Sequence, residues 1–328
     1  MRPSALPTVF RTTGGPCERS PRSRPGRATR SPGPGPGPVL HDLERSCFVS
    51  ESLHQKIDAA VAHIRKTYQG TPRFGLILGT GLGSLSDELE VEARVPYGEI
   101  PHFPVSTAES HAGVLELGRV AGEPCAVMKG RVHFYEGYSM QEVTFPIRVL
   151  RALGAQRLLI TNAVGGLSPT FRLGDLFVTT DHINLMGDNP LIGPNDDTLG
   201  PRFPDMSEPY DRDMVERLES IALREQIPLR KGVFVAVAGP NLETRAEYRF
   251  LRWIGADVVG MSLIPENIVA IHGGMRVAAV SVITDMGLPD ALEPVDIARI
   301  LAIAEQARPK LAKLVVGLIE SLHGVADA

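Results

Sequence analysis

The chain has 328 residues, 43% of them hydrophobic and 22% charged, enough to bury a full core and too apolar to be fibrous or disordered throughout. Its formal charge is -4, but eight arginines against Glu18, Asp42 and Glu44 give residues 1–50 a net +5 and leave -9 on the remainder, an acidic body unsuited to a polyanion such as nucleic acid. Three cysteines, at 17, 47 and 125, are too few and too irregular for a disulfide framework or a metal knuckle, and no run nears the roughly 20 apolar residues of a membrane span, so the expectation is a cytoplasmic protein with no membrane partner.

Residues 1–45 read as a disordered basic extension rich in Arg, Pro and Gly, with Gly33-Pro-Gly-Pro-Gly-Pro38 inside it. It lacks the apolar stretch of a secretory signal, and its prolines spoil the amphipathic helix of a transit peptide. Such a segment cannot bury enough surface to offset its ordering entropy. A targeting segment and a basic tail that touches nucleic acid stand as alternatives.

Residues 46–328 read as one folded domain. Leu53, Ile57, Ala60, Val61 and Ile64 recur at helical spacing, and Phe74-Gly-Leu-Ile-Leu78 is a short apolar run of the kind buried in a parallel sheet. Further strands are expected at 113–117, 124–129, 157–161, 175–180, 232–238, 257–260 and 277–284, with helices at 141–153, 211–226, 243–253, 264–272 and 294–322. This alternation predicts a single α/β domain with a mixed, mostly parallel central sheet flanked by helices. Residues 187–210, dense in Gly, Pro, Asn and Asp, read as a long loop.

Polar groups follow several strands, where an α/β sheet presents its ligand-binding edge. Gly79-Thr80-Gly81-Leu82-Gly83 is a weak dinucleotide signal, since Ser84 stands where a third glycine belongs and no acidic partner follows. It fits either an anion cradle of backbone N–H groups with the Thr80 hydroxyl, or an unliganded turn. In Gly130-Arg-Val-His-Phe-Tyr-Glu-Gly-Tyr138, period two puts Arg131, His133 and Tyr135 on one face, a fork suited to phosphate beside an imidazole and a phenol. His111 in Ser110-His-Ala-Gly113 fits a ligand or an ordinary turn histidine. Thr161-Asn-Ala-Val-Gly-Gly-Leu167 ends a strand in small residues that allow close backbone approach.

Taken with Asp181-His-Ile-Asn-Leu185, Asn189-Pro-Leu-Ile-Gly-Pro-Asn-Asp196, Arg202-Phe-Pro-Asp-Met-Ser207, Gly239-Pro-Asn-Leu-Glu-Thr244 and Val259-Gly-Met-Ser262, these motifs resemble, in order, the trimeric purine nucleoside phosphorylases. The similarity runs from about residue 51 to the C-terminus. It implies the nucleoside phosphorylase fold and reversible phosphorolysis of purine (deoxy)ribonucleosides to base and (deoxy)ribose 1-phosphate. No metal or other cofactor is implied, and inorganic phosphate is a co-substrate. Thr80, His111, Arg131, the Ala163 backbone and Ser262 would surround phosphate. His133, Tyr135 and Met261 would border the ribose, and Glu243 and Asp285 would hold the purine edge; with His133 these two carry the implied catalytic roles. Val164, Gly165, Leu242 and Val259 would lie around the base. Phe203 matches a phenylalanine that closes the ribose end of a neighbouring subunit, implying a homotrimer.

Three positions depart from the family pattern. Asp285 stands where relatives specific for 6-oxopurines carry Asn; it must be protonated to donate to purine N7, and Glu243 nearby is expected to push one pKa up. Ile297, or its neighbour Asp296, stands where a histidine often meets the 5′-hydroxyl, and Phe234 stands where relatives carry a tyrosine nearby in the ribose region. A more apolar 5′ end keeps a methylthioadenosine-type phosphorylase, a sister family on the same fold, as the alternative.

Overall fold

A computed structural model describes residues 51–107 and 112–325, which form one compact unit. The expectation for residues 1–45 therefore lies outside the described residues. Helix α1 (Leu53–Ile64) begins at a capping box in which the Ser52 hydroxyl accepts from the Gln55 N–H and the Gln55 amide oxygen accepts from the Ser52 N–H, and it buries Ile57, Ala60 and Ile64. Strand β1 (Phe74–Leu78) follows, buried along its whole length.

The next strands are β2 (Glu90–Pro96), β3 (Val114–Val120) and β4 (Glu123–Lys129). Helix α2 (Met140–Leu153) leads into β5 (Arg157–Gly166) and β6 (Leu176–Leu185). Then come α3 (Arg212–Arg224), β7 (Leu229–Val237), α4 (Arg245–Trp253), β8 (Val258–Gly260), α5 (Ile264–His272), β9 (Arg276–Met286) and α6 (Ile297–Ser321). All six strands and helices of the C-terminal third, β7 to α6, start within three residues of their expected positions. Strand β2 was not expected: it is an edge strand with only Val91, Ala93 and Val95 turned inward between charged residues, so its apolar signal is weak. Residues 187–210 contain no strand or helix.

The nine strands run in the order β2-β3-β4-β1-β5-β8-β7-β6-β9, and β9 also pairs with β5. The half of the sheet beyond β1 is thus a closed ring of five strands. Parallel pairings join β1–β4, β1–β5, β5–β9, β6–β7 and β7–β8; the other four are antiparallel, so the sheet is mixed as expected. The closure explains why β5, β6 and β9 run past the ends of their apolar stretches. Neighbours in the ring satisfy the backbone of polar residues such as Asn162 and Asp285, so strand structure continues where hydrophobicity stops.

The apolar core lies between the sheet and helices α1, α2, α5 on one hand and α3, α6 on the other. Among the described residues no helix is long and apolar enough to cross a membrane.

Gly79, directly after β1, packs against the backbone of β5: a Cβ there would lie 2.6 Å from the Thr161 carbonyl oxygen and 2.8 Å from Asn162 Cα. Backbone cannot step aside as a side chain can. Gly79→Ala is expected to lower stability by about 1–3 kcal/mol, the usual cost of overpacking, as measured by urea denaturation.

Candidate active site

The turns at the ends of β1, β4, β5, β8 and β9 surround a cavity of about 180 Å³. Thr80, Arg131, His133, Tyr135, Ala163, Val164, Gly165, Leu242, Glu243, Val259, Met261, Ser262, Asp285 and Ile297 all line it. Residues some 200 positions apart in sequence therefore share one space. His111 lies outside the described residues. Phe203 does not line the cavity; it is 85% exposed, with the Arg202 guanidinium 5.7 Å from its ring centre.

Phe234 also stays out of the cavity. It was expected at the ribose end, but it points from β7 into the ring's interior and is fully buried. Its ring edge lies 2.7 Å from where a Gly260 Cβ would be, so it supports the cavity floor from behind.

Arg131 is buried, a placement that demands compensation for its charge. One terminal nitrogen donates to Glu266 Oε1 at 2.9 Å and the other to the Thr161 carbonyl oxygen. Arg131 Nε and Glu266 Oε2 have no hydrogen-bond partner among the described residues. The guanidinium is thus fixed by protein on two sides and keeps donor capacity.

Glu266, which holds Arg131, received no role from the sequence. Its signal is a carboxylate in the first turn of the mostly apolar Ile264-Pro-Glu-Asn-Ile-Val-Ala-Ile271. That helix, α5, starts under strain. Leu263 has φ +74° and ψ -53°, and the Ile264 N–H donates to the Ser262 carbonyl oxygen at 2.9 Å, closing a three-residue γ-turn. Such a turn costs a non-glycine residue on the order of 1–3 kcal/mol. It puts Ser262 in the cavity wall immediately before the positive end of a helix whose first turn has no side-chain cap.

Arg131, His133 and Tyr135 do converge, though not as a strand. β4 ends at Lys129, and residues 134–136 form a tight helical turn. The His133 and Tyr135 rings stack with centres 4.7 Å apart. Burial and then the Arg131 charge pull the His133 imidazole below its ordinary pKa, against the opposing hydrogen bond that Glu136 accepts from the ring. His133 Nδ1 lies 3.2 Å from Glu136 Oε1, which also accepts the His133 backbone N–H at 2.7 Å. Burial pushes the Glu136 carboxyl up, but hydrogen bonds from the Thr107 hydroxyl and N–H and from His133 hold it below the usual carboxylate range.

At the other end stand Glu243 and Asp285. Glu243 immediately precedes α4, whose Thr244 hydroxyl accepts from the Glu247 N–H while Glu247 accepts from the Thr244 N–H, a capping box that fixes where the loop stops. Asp285 owes its direction to a β-bulge. Val164 pairs with Ile283 but Gly165 pairs with Asp285, so Thr284 is the extra residue, and bulges of this kind re-aim the side chain that follows. The Thr284 hydroxyl donates to Asp285 Oδ1 at 3.0 Å.

Both carboxyls are pushed above the usual carboxylate range. Burial is the leading cause for each; the charge of Asp285 adds to the rise at Glu243, where the Tyr248 hydroxyl's hydrogen bond opposes it. Mutual repulsion, the cause expected from sequence, is therefore secondary to desolvation. Among the described residues no group of three or more His, Cys, Asp or Glu is placed to hold a metal ion.

This fold and site belong to a known class. A sequence-family model described as the phosphorylase superfamily matches residues 73–320. The Bacillus subtilis protein named purine nucleoside phosphorylase 1 is 49% identical over 267 residues, which cover 81% of this chain and 98% of that one. The mouse purine nucleoside phosphorylase is 46% identical over 76% of this chain and 89% of its own. Among solved structures, a Schistosoma purine nucleoside phosphorylase in complex with hypoxanthine superposes with a TM-score of 0.77 at 38% identity, covering 81% of this chain and 96% of that one. A Schistosoma mansoni enzyme in complex with adenosine gives 0.78 at 36% identity, covering 83% and 98%. The chain belongs to the purine nucleoside phosphorylase family.

The geometry around His133 makes a measurable claim. Its imidazole should titrate below 6.5 in NMR of the full chain, and Glu136→Gln should lower that value further, because Glu136 favours the protonated ring. An unchanged or higher value in the variant would contradict the assigned contact.

Proposed function

We infer that the chain catalyses reversible phosphorolysis of purine (deoxy)ribonucleosides, releasing the free base and (deoxy)ribose 1-phosphate. The observation that carries this reading is one cavity with a buried guanidinium and small-residue backbone at one end and two protonatable carboxyls at the other. The names of its relatives support it.

Phosphate is the nucleophile in this reading. One of its oxygens attacks the anomeric carbon as the bond to N9 breaks, and the bonding pair departs with the purine. Holding phosphate in line supplies the entropic advantage, and its negative charge stabilises the cationic sugar. Arg131, held by Glu266, the Ala163 N–H, the Thr80 and Ser262 hydroxyls and His111 form its seat. His133, Tyr135 and Met261 border the sugar. Val164, Gly165, Leu242 and Val259 flank the base, whose ring N–H donates to Glu243. Asp285, when protonated, donates to N7 and so stabilises the departing purine; when ionised it accepts from a 6-amino group. No resident cofactor takes part.

The ribose end is apolar at Ile297, which lines the cavity from the first turn of α6 while Asp296 turns away to cap that helix. This favours 5′-deoxy or 5′-methylthio nucleosides as a second substrate class. Phe203, exposed on the long loop, closes the ribose end of a neighbouring copy in a homotrimer acting in the cytoplasm.

Glu243→Ala and Asp285→Ala should each cost about 10²-fold or more in kcat/KM for inosine or guanosine, the scale of losing one transition-state hydrogen bond. Near-normal rates in both would refute the site. Burial raises the Asp285 pKa, so its proton persists to higher pH than in an exposed Asp. The inosine rate should therefore fall as pH rises through that pKa, and Asp285→Asn, which keeps a donor at every pH, should abolish that limb and shift preference toward 6-oxopurines. A panel of inosine, guanosine, adenosine, xanthosine and methylthioadenosine, each with and without phosphate, reads these preferences directly.

Deleting residues 1–45 should leave unchanged both turnover and the number of subunits in the assembly, read by light scattering. Loss of assembly would assign that extension a structural role.

A further inference from the structure

Beyond the carboxyl wall lies a second cavity of about 260 Å³, larger than the first. The two share Thr284, Asp285 and Ile300, which makes the Asp285 side chain a partition between them. The second chamber is walled by apolar groups of Leu173, Met286, Ala291, Leu292 and Val295. Its polar groups are already engaged: Arg299 donates to Glu293 at 3.2 Å, Asp296 accepts the Ala298 N–H at 2.9 Å, and the Tyr248 hydroxyl is hydrogen-bonded to Glu243. Most of the surface that remains available to a guest is apolar.

Resting on the phosphorylase reading above, we propose that this chamber is an annex of the nucleobase site that receives an apolar substituent on the purine 6-amino nitrogen, so that N6-alkyl and N6-arylalkyl purine nucleosides are substrates. N7 and the 6-amino group are neighbours on one edge of the purine ring. A base that turns N7 toward Asp285 brings its 6-substituent beside the same carboxyl, at the partition. A secondary amine keeps one N–H, which on the N7 side donates to Asp285, while its carbon chain leaves on the N1 side and reaches the annex past Tyr248, which lines it. Space suffices, since an apolar cavity of about 150 Å³ already takes up benzene. Filling it removes apolar surface from water on both sides, which favours the substituted base over plain adenine.

The test compares phosphorolysis of inosine, adenosine and N6-benzyladenosine by the full chain and by Ala291→Trp, which narrows the annex from a position that does not line the first cavity. The wild-type kcat/KM for N6-benzyladenosine should lie within about tenfold of that for adenosine, and Ala291→Trp should lower it at least about tenfold while changing adenosine less than about threefold. Leu292→Phe, a smaller change in the same wall, repeats the comparison if Ala291→Trp does not fold. Cleavage of N6-benzyladenosine more than about 100-fold slower than adenosine would overturn the annex and leave the phosphorylase reading intact. Equal losses on both nucleosides in the variant, or cleavage of inosine without either 6-amino nucleoside, would do the same. If none of the three is cleaved in the presence of phosphate, the phosphorylase reading falls, and the annex with it.

Discussion

The parallel pairing of β5 with β9 is the constraint on which the site depends. It runs from Arg157 with Arg276 to Gly166 with Met286, longer than either strand's apolar stretch. Along it Asn162, Ala163 and Val164 lie beside Ser281, Val282 and Ile283, Gly165 lies beside Asp285, and the Ser281 hydroxyl donates to Asn162 Oδ1 at 2.7 Å. Had the register continued without its bulge, Gly165 would sit opposite Thr284, and the carboxyl of Asp285 would lie on the other side of the pleat. One extra residue in one strand thus decides whether the cavity contains an acid.

Close backbone approach is the second requirement, and glycine meets it. At Gly165 a Cβ would sit 3.0 Å from Asp285 Oδ2 and 3.1 Å from Val259 Cγ1, so any side chain there would press on the carboxyl that the bulge has just aimed. Gly260 plays the same part against Phe234 on the opposite wall. The cavity is narrow because three strands of the ring approach one another at residues without side chains, and Asp285 is desolvated for the same reason. Its raised pKa is a consequence of sheet closure and not of any one neighbouring charge.

Much of this was legible in the chain itself, and the gaps have physical causes. Helices α2, α4 and α5 declare themselves through local periodicity, and Arg131, Asn162 and Asp285 stand out because polar groups directly behind apolar runs are unusual. The edge strand β2 went unseen because one buried face of three small or branched residues leaves little apolar signal. Closure of the ring depends on contacts between β5 and β9, more than a hundred residues apart, for which a single sequence offers no pattern. Glu266 shows no role locally because its partner, Arg131, lies 135 residues away. The resemblance implies a ribose position for Phe234, whereas β7 buries it in the core.

The two ends of the cavity are built on opposite electrostatic principles, and the proposed reaction needs both. At Arg131 the charge is permanent and is held by a buried carboxylate and a carbonyl, so its position does not relax when an anion arrives. Nearby, burial and that same charge disfavour the protonated form of His133, which leaves the imidazole neutral and the positive potential concentrated on the guanidinium. At Glu243 and Asp285 charge is conditional: desolvation favours the neutral acids, and Thr284 and Tyr248 donate to the carboxylates to moderate the cost of ionising them. A nucleoside lying between them meets fixed positive charge where an anion must be held and a releasable proton where negative charge develops. Reversing the direction of reaction requires only that the proton return, because nothing at the anionic end has to change its state.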